Sequence, residues 1–268
     1  MDQKRHKVDI LGVQVDDISE KNAVRAILQM AGKAKGENHP KHVVTINAEF
    51  VMLARKNKNF SDVLGRADLA VPDGKGVVLA KLILGGSEHD RVTGVDLVEK
   101  LCKQGAKRAV RVGFLGGFDG VAEIVSKRQK EQNPDLKVVF AGPGDPTIGY
   151  DSRLKKELFD RGRVDIMFVA YGMGQQEFWI ERNRHGLSLN KNSLDVGVFV
   201  GVGGAFDYLS MVKTRAPIQL QNIGLEWFWR LLAEPGRIWR MRVLPVFAIM
   251  VIGQFLGQKL NLSTKKIF

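Results

Sequence analysis

Thr45 and Asn47 stand where the apolar run HVVTI ends, and Asp73-Gly74 follows the run DLAV. A carboxylate, a hydroxyl and an amide gathered at one edge make a candidate polar ligand site. In a parallel sheet the carboxyl ends of the strands open onto the ligand crevice, so two neighbouring strands would deliver Thr45, Asn47 and Asp73 to one edge. A plainer role fits the same residues: Asn47 caps the following helix and Asp73-Gly74 makes an ordinary turn. Arg91, Thr93, Gly94 and Asp96 in DRVTGVDL form the next cluster. Arg91 would lie beside the Asp73 edge; alternatively it is a surface cation, and Thr93 caps a helix.

Three glycine-rich segments extend this set: Gly116-Gly117-Phe118-Asp119-Gly120, Gly172-Met173-Gly174-Gln175-Gln176-Glu177, and GVGGAFD over 201–207. Each joins a β-like run to a helical pattern. Backbone can approach a ligand closely there and helix N–H groups can face an anion, although tight turns explain the same glycines. None is a G-x-G-x-x-G fingerprint, no Walker A sequence is present, and no well-placed acidic residue follows to bind a ribose. A nicotinamide-dependent oxidoreductase is therefore a weak rival reading.

The elements that must position these residues alternate. Strands are expected at 8–15, 42–46, 68–71, 109–115, 137–141, 164–170 and 195–202. Helices are expected near 48–57, 75–84, 94–104, 119–132, 151–161 and 175–185, with one more after an N-cap at Ser19 carrying Val24, Ile27, Leu28 and Ala31 on one face. This alternation defines an α/β fold with a mostly parallel sheet flanked by helices. The single Cys102 and five scattered histidines offer neither a disulfide framework nor zinc-ligand spacing, so no metal site and no bound cofactor are expected. The N-terminus turns acidic at Asp9, Asp16 and Asp17 before any signal-peptide core develops, which points to the cytoplasm.

The chain's 268 residues carry a net charge of +12. From Tyr208 onward nine Lys and Arg face two acids, so +7 of that charge lies in the last segment. This segment, 208–268, differs in character from 1–207: it is helical in pattern, rich in Trp and Arg, and broken by Pro217, Pro235 and Pro245. Arg230, Arg237 and Arg240 alternate with Trp227, Trp229 and Trp239. Cations beside amphipathic aromatics suit an anionic membrane surface, or a non-catalytic membrane- or nucleic-acid-binding module. The uncharged stretch from Val243 to Gln258 favours lipid over nucleic acid. At 16 residues, interrupted by Pro245, Gly253 and Gly257, it reads as too short to span a bilayer, which takes about 20 residues. Its apolar surface also favours self-association into a homo-oligomer.

VVTINAEFVMLARKNKNFSDVLGRADLAVPDGKGVV, RVTGVDL, FLGG, GQQEFWIERN, VGVGGAFDYL and RAPIQLQNIGLEWFWRLLAEPGRIWRMR occur in that order. The ordered set resembles the WecG/TagA/CpsF family of bacterial glycosyltransferases from about Ile10 to Arg242. The resemblance implies a Rossmann-like catalytic domain over 1–207 and a C-terminal appendage over 208–268 that docks on the inner face of the cell membrane. It also implies inverting, metal-independent transfer of an N-acetylmannosamine-type or other hexose from a UDP-sugar to a polyprenyl-diphosphate-linked sugar. By the same resemblance Asp73 is the general base, and Thr45, Asn47 and Gln176 line its pocket. Arg230, Arg237 and Arg240 reach the diphosphate, with Arg91, Gly94, Gly116, Gly117 and Asp207 also expected at the substrate. Gly174-Gln175 stands where many members carry Pro-Lys, which removes a rigid φ and a cation.

Overall fold

Runs rich in Val, Ile and Phe, with no room for a solvated face, need cover on both sides and so form a parallel sheet inside a layer of helices. The computed structural model, which describes residues 5–33, 40–118, 120–184, 195–217, 219–220, 228–229, 231 and 238–265, shows that arrangement. An antiparallel pair, β1 (Lys7–Ile10) and β2 (Val13–Asp16), precedes a six-stranded sheet. The sheet comprises β3 (Lys41–Ile46), β4 (Leu69–Pro72), β5 (Arg111–Gly116), β6 (Lys137–Gly142), β7 (Val164–Ala170) and β8 (Val196–Gly201). All its pairings are parallel, in the order β4-β3-β8-β7-β5-β6.

Alternating residues of each strand feed two cores. Val43, Val71, Phe114, Phe168 and Val200 pack under α1 (Glu20–Lys33), α5 (Gly94–Ala106), α6 (Val121–Gln132) and the short α9 (Ala205–Leu209). On the opposite face, Val44, Ile46 and Ala70 meet α2 (Ala48–Lys56), α3 (Lys58–Gly65) and α4 (Lys75–Ile83). Farther along that face, Leu115, Met167 and Phe199 meet α7 (Ile148–Arg161) and α8 (Gln175–Arg184).

The expected strand at 8–15 is a hairpin instead. Leu11 and Gly12 take positive φ of 54° and 91°, the two-residue turn whose twist matches antiparallel strands. The hairpin lies beside β4, where the buried Asp16 carboxylate accepts the Ala70 N–H at 2.8 Å and so occupies a donor of the sheet edge. Helix α3, capped by Asn57, was not expected between 57 and 68.

The largest departure concerns the C-terminus. A one-turn helix α10 (Ile238–Met241) leads into one continuous helix, α11 (Val243–Lys265), of 23 residues. Val243–Leu260 is long and apolar enough to cross a bilayer, contrary to the 16-residue estimate. Pro245 falls in the first turn, where its missing N–H is not needed, and the helix continues through Gly253, Gly257 and Lys259. One face of α11 packs on α2 and α4 through Phe247 and Val251, both buried. Gln254 fixes the helix to the hairpin: its Oε1 accepts the Leu11 N–H at 2.9 Å and its Nε2 donates to the Asp9 carbonyl at 2.9 Å. Phe247→Ala should lower stability by about 3 kcal/mol in urea unfolding, whereas the outward Ile249→Ala should change it by less than about 0.5 kcal/mol.

Candidate active site

The ends of β3 and β4 and the inner face of α11 enclose a cavity of about 410 Å³. Asn47, Asp73 and Arg91 line it. Asn47 holds its place as the N-cap of α2, its Oδ1 accepting the Phe50 N–H at 3.1 Å. The Asp73 N–H donates to the Ile46 carbonyl at 2.7 Å, which locks the end of β4 to β3. Gly74 turns the chain into α4 at φ 106°, a conformation that a side chain would strain. Three groups separated by up to 44 positions in sequence thus meet because two parallel strands end together.

Arg91 arrives on the loop between α4 and α5, and that loop is anchored at several points. Val92 N–H donates to the Pro72 carbonyl at 2.8 Å. The Asp17 carboxylate accepts the Ser87 N–H at 2.8 Å, the Ser87 hydroxyl at 2.9 Å and the Glu88 N–H at 3.0 Å, and it pairs with Lys81 of α4 at 2.6 Å. The Lys81 side chain is 0% exposed. Burial alone would raise the Asp17 carboxyl, but the Lys81 ammonium and the three donors outweigh it and hold it well below the usual carboxylate range. Asp17 therefore stabilises the fold above the ordinary carboxylate pKa and loses that effect only in strong acid.

Several of the other expected residues lie away from this cavity. Thr45 shares a sheet face with Val43, opposite Val44 and Ile46, and its hydroxyl donates to the Gly201 carbonyl at 3.0 Å inside the protein. Gly94 packs against β8's exit, where an added Cβ would lie 2.7 Å from the Val202 oxygen. Asp207 pairs with Lys213 at 2.7 Å. Arg215 forks onto Asp96 at 2.9 and 3.3 Å, linking the segment after α9 to the first turn of α5. Arg230 and Arg237 lie outside the described residues, and Arg240 falls within α10, next to the cavity-lining Met241.

Gly116 closes β5 and Gly117 follows it. The chain leaves β5 outward toward β6 but leaves β7 back toward β8, which makes the junction of β5 and β7 a topological switch point. There the Gly117 N–H donates to the Ala170 carbonyl at 3.1 Å. Gln176 is fully buried and bridges two loops rather than lining the cavity. Its Oε1 accepts the Gly203 N–H at 2.9 Å, its Nε2 donates to Glu177 at 2.6 Å, and Glu177 accepts the Gly174 N–H at 2.7 Å. Sequence reasoning placed Glu177 in a motif without a role. Its position in the first turn of a helix after a glycine loop was the available signal.

Burial pushes the Glu177 carboxyl up to about 7, against the hydrogen bonds from Gln176 and Gly174 that favour its charged form. A raised acid favours folding while protonated, so its contribution is complete below about 4.5 and lost as pH rises through about 7. Chemical denaturation across that window should show wild-type stability falling with pH, and Glu177→Gln should remove that component. Lys81→Met should cost roughly 3 kcal/mol, because Asp17 would stay buried without its cation.

A model of the glycosyl transferase WecG/TagA/CpsF family matches residues 8–261. Among similar proteins is an N-acetylglucosaminyldiphosphoundecaprenol N-acetyl-beta-D-mannosaminyltransferase of Bacillus subtilis (strain 168), 31% identical over 81% of each chain. Proteins with the same name come from Bacillus spizizenii, 33% identical over 81% of this chain and 80% of the relative, and from Staphylococcus aureus (strain MRSA252), 28% identical over 90% of each. The cavity at the ends of β3 and β4 thus belongs to an enzyme: this chain is a member of the WecG/TagA/CpsF family of glycosyl transferases.

Proposed function

We propose that the chain transfers an N-acetylmannosamine-type sugar from a UDP-sugar to a polyprenyl-diphosphate-linked sugar, with inversion and without a metal ion. The observation that carries this reading is the convergence of Asp73, Asn47 and Arg91, with Glu49 and Lys75 beside them, in a cavity walled on its other side by an apolar helix. The Asp73 carboxylate takes the proton of the acceptor hydroxyl as its oxygen attacks the anomeric carbon, and UDP departs from the opposite face. Relatives named for a β-mannosaminyl product support inversion, because a β product follows from an α-linked nucleotide sugar in a single displacement.

The departing diphosphate needs its growing negative charge balanced. Arg91 stands at the cavity, and Arg230, Arg237 and Arg240 belong to the motif that family resemblance assigns to the diphosphate. Guanidinium groups remain charged at any working pH and bind phosphate oxygens in pairs.

The same reading places the enzyme on the inner face of the cell membrane. Val246, Ile249, Ile252, Leu256 and Leu260 are exposed along α11, and Trp239 is exposed just before it, with the Arg242 guanidinium 5.0 Å from its ring centre. Aromatic and aliphatic side chains next to cations suit the boundary between headgroups and acyl chains.

Asp73→Asn keeps the size of the side chain and removes the base. Steady-state UDP release should fall by about 10²–10⁴ in kcat with little change in donor affinity; a kcat near wild type would reject the role of Asp73. Sedimentation with anionic vesicles should weaken as salt rises and should be lost in Ile249→Asp/Leu256→Asp.

A further inference from the structure

The cavity has two chemically different halves. One end carries Asn47, Glu49, Asp73, Lys75 and Arg91. Away from it, Leu79 and Ile83 of α4 face Leu244, Ala248 and Ile252 of α11, so two apolar rows spaced four residues apart line a groove, with Lys75 one turn before Leu79 at its polar end. Leu79 is 60% exposed and Ile252 52% exposed, so the groove is open along its length.

A nucleotide sugar cannot use such walls. Its diphosphate, ribose, base and sugar hydroxyls would lose water without gaining hydrogen bonds, a cost of several kcal/mol for even one unpaired polar group. The diphosphate and sugar of the acceptor need the polar end for the same reason. Only hydrocarbon attached directly to a diphosphate would occupy both halves of the cavity together.

We propose that the groove between α4 and α11 binds the first isoprene units of the acceptor's lipid chain. The inference deepens the reading of a polyprenyl-linked acceptor and rests on it. Its consequence is that α11 serves two purposes: Phe247 and Val251 hold the helix on the enzyme and, together with Leu244, Ala248 and Ile252, form the wall that meets the lipid. The chain would then pass from the groove along the exposed Ile249 and Leu256 into the bilayer without crossing water. Lipid recognition and sugar placement are coupled, because the same groove that receives the chain sets the distance of the sugar from Asp73.

The test uses the full-length protein without membranes. Binding of farnesyl diphosphate, inorganic diphosphate and UDP is measured by calorimetry on the wild type, on Ala248→Trp, which fills the groove, and on Leu79→Asp, which places a charge at its exposed mouth. The wild type should bind farnesyl diphosphate at least about tenfold tighter than inorganic diphosphate, since several methylene-sized groups leave water. Both variants should lose that gain and keep the affinity for UDP, which also shows that they are folded. In transfer assays with soluble acceptors, KM should fall as the isoprenoid lengthens to about three units in the wild type, a span set by the cavity size, and stay flat in the variants. No gain from the farnesyl chain in the wild type, or an equal gain in all three proteins, would overturn the groove. A variant-sensitive farnesyl gain with no sugar transfer to any lipid-linked acceptor would uphold the groove and reject the proposed reaction. Transfer with no dependence on chain length would do the reverse.

Discussion

The site depends on one packing contact. Phe247 and Val251 of the terminal helix are buried against α2 and α4, the two helices that begin immediately after Asn47 and Asp73-Gly74. Burying a side chain the size of Phe or Val contributes on the order of 1.5–3 kcal/mol, enough to hold an otherwise apolar helix on the protein surface. Gln254 then fixes its register by bonding Asp9 of β1 and Leu11 of the hairpin turn. Without this contact, Asp73 and Arg91 would lie on an open sheet edge. With it they share a cavity with one apolar wall. A helix apolar on more than one face cannot bury all of them against a small domain, and one face stays exposed.

The polar end of the cavity is rigid for a different reason. Its residues come from the ends of two parallel strands and from a loop held by the buried Asp17–Lys81 pair. A buried ion pair contributes little net stability, but breaking it is costly, so it suits a loop that must hold one position. The glycine loops at the ends of β7 and β8 are braced separately through Gln176 and Glu177. The Arg91 loop and the glycine loops are therefore each held by side chains that accept backbone N–H groups.

Much of this was readable from the residues. The runs HVVTI and DLAV announced two buried strands, and the rule that ligands meet strand carboxyl ends placed Asn47 and Asp73 together before any coordinates. Thr45 was grouped with them by proximity, although strand alternation sends it to the opposite face from Ile46. Gln176 was assigned to the pocket by family resemblance, and its bonds to Gly203 and Glu177 arise only from the pairing of β7 with β8. The terminal helix was read as interrupted because Pro and Gly carry weight in a one-dimensional pattern. In three dimensions Pro245 occupies a permissive turn and packing overrides the weak glycine preference.

The account's central claim is acceptor-dependent glycosyl transfer. UDP release from UDP-N-acetylmannosamine, followed with and without an N-acetylglucosaminyl-diphospho-polyprenol, tests it most directly when the product's anomeric configuration is read by NMR. The account predicts release that requires the lipid-linked acceptor and yields a β-linked disaccharide. UDP release that ignores the acceptor, or an α-linked product, would contradict it.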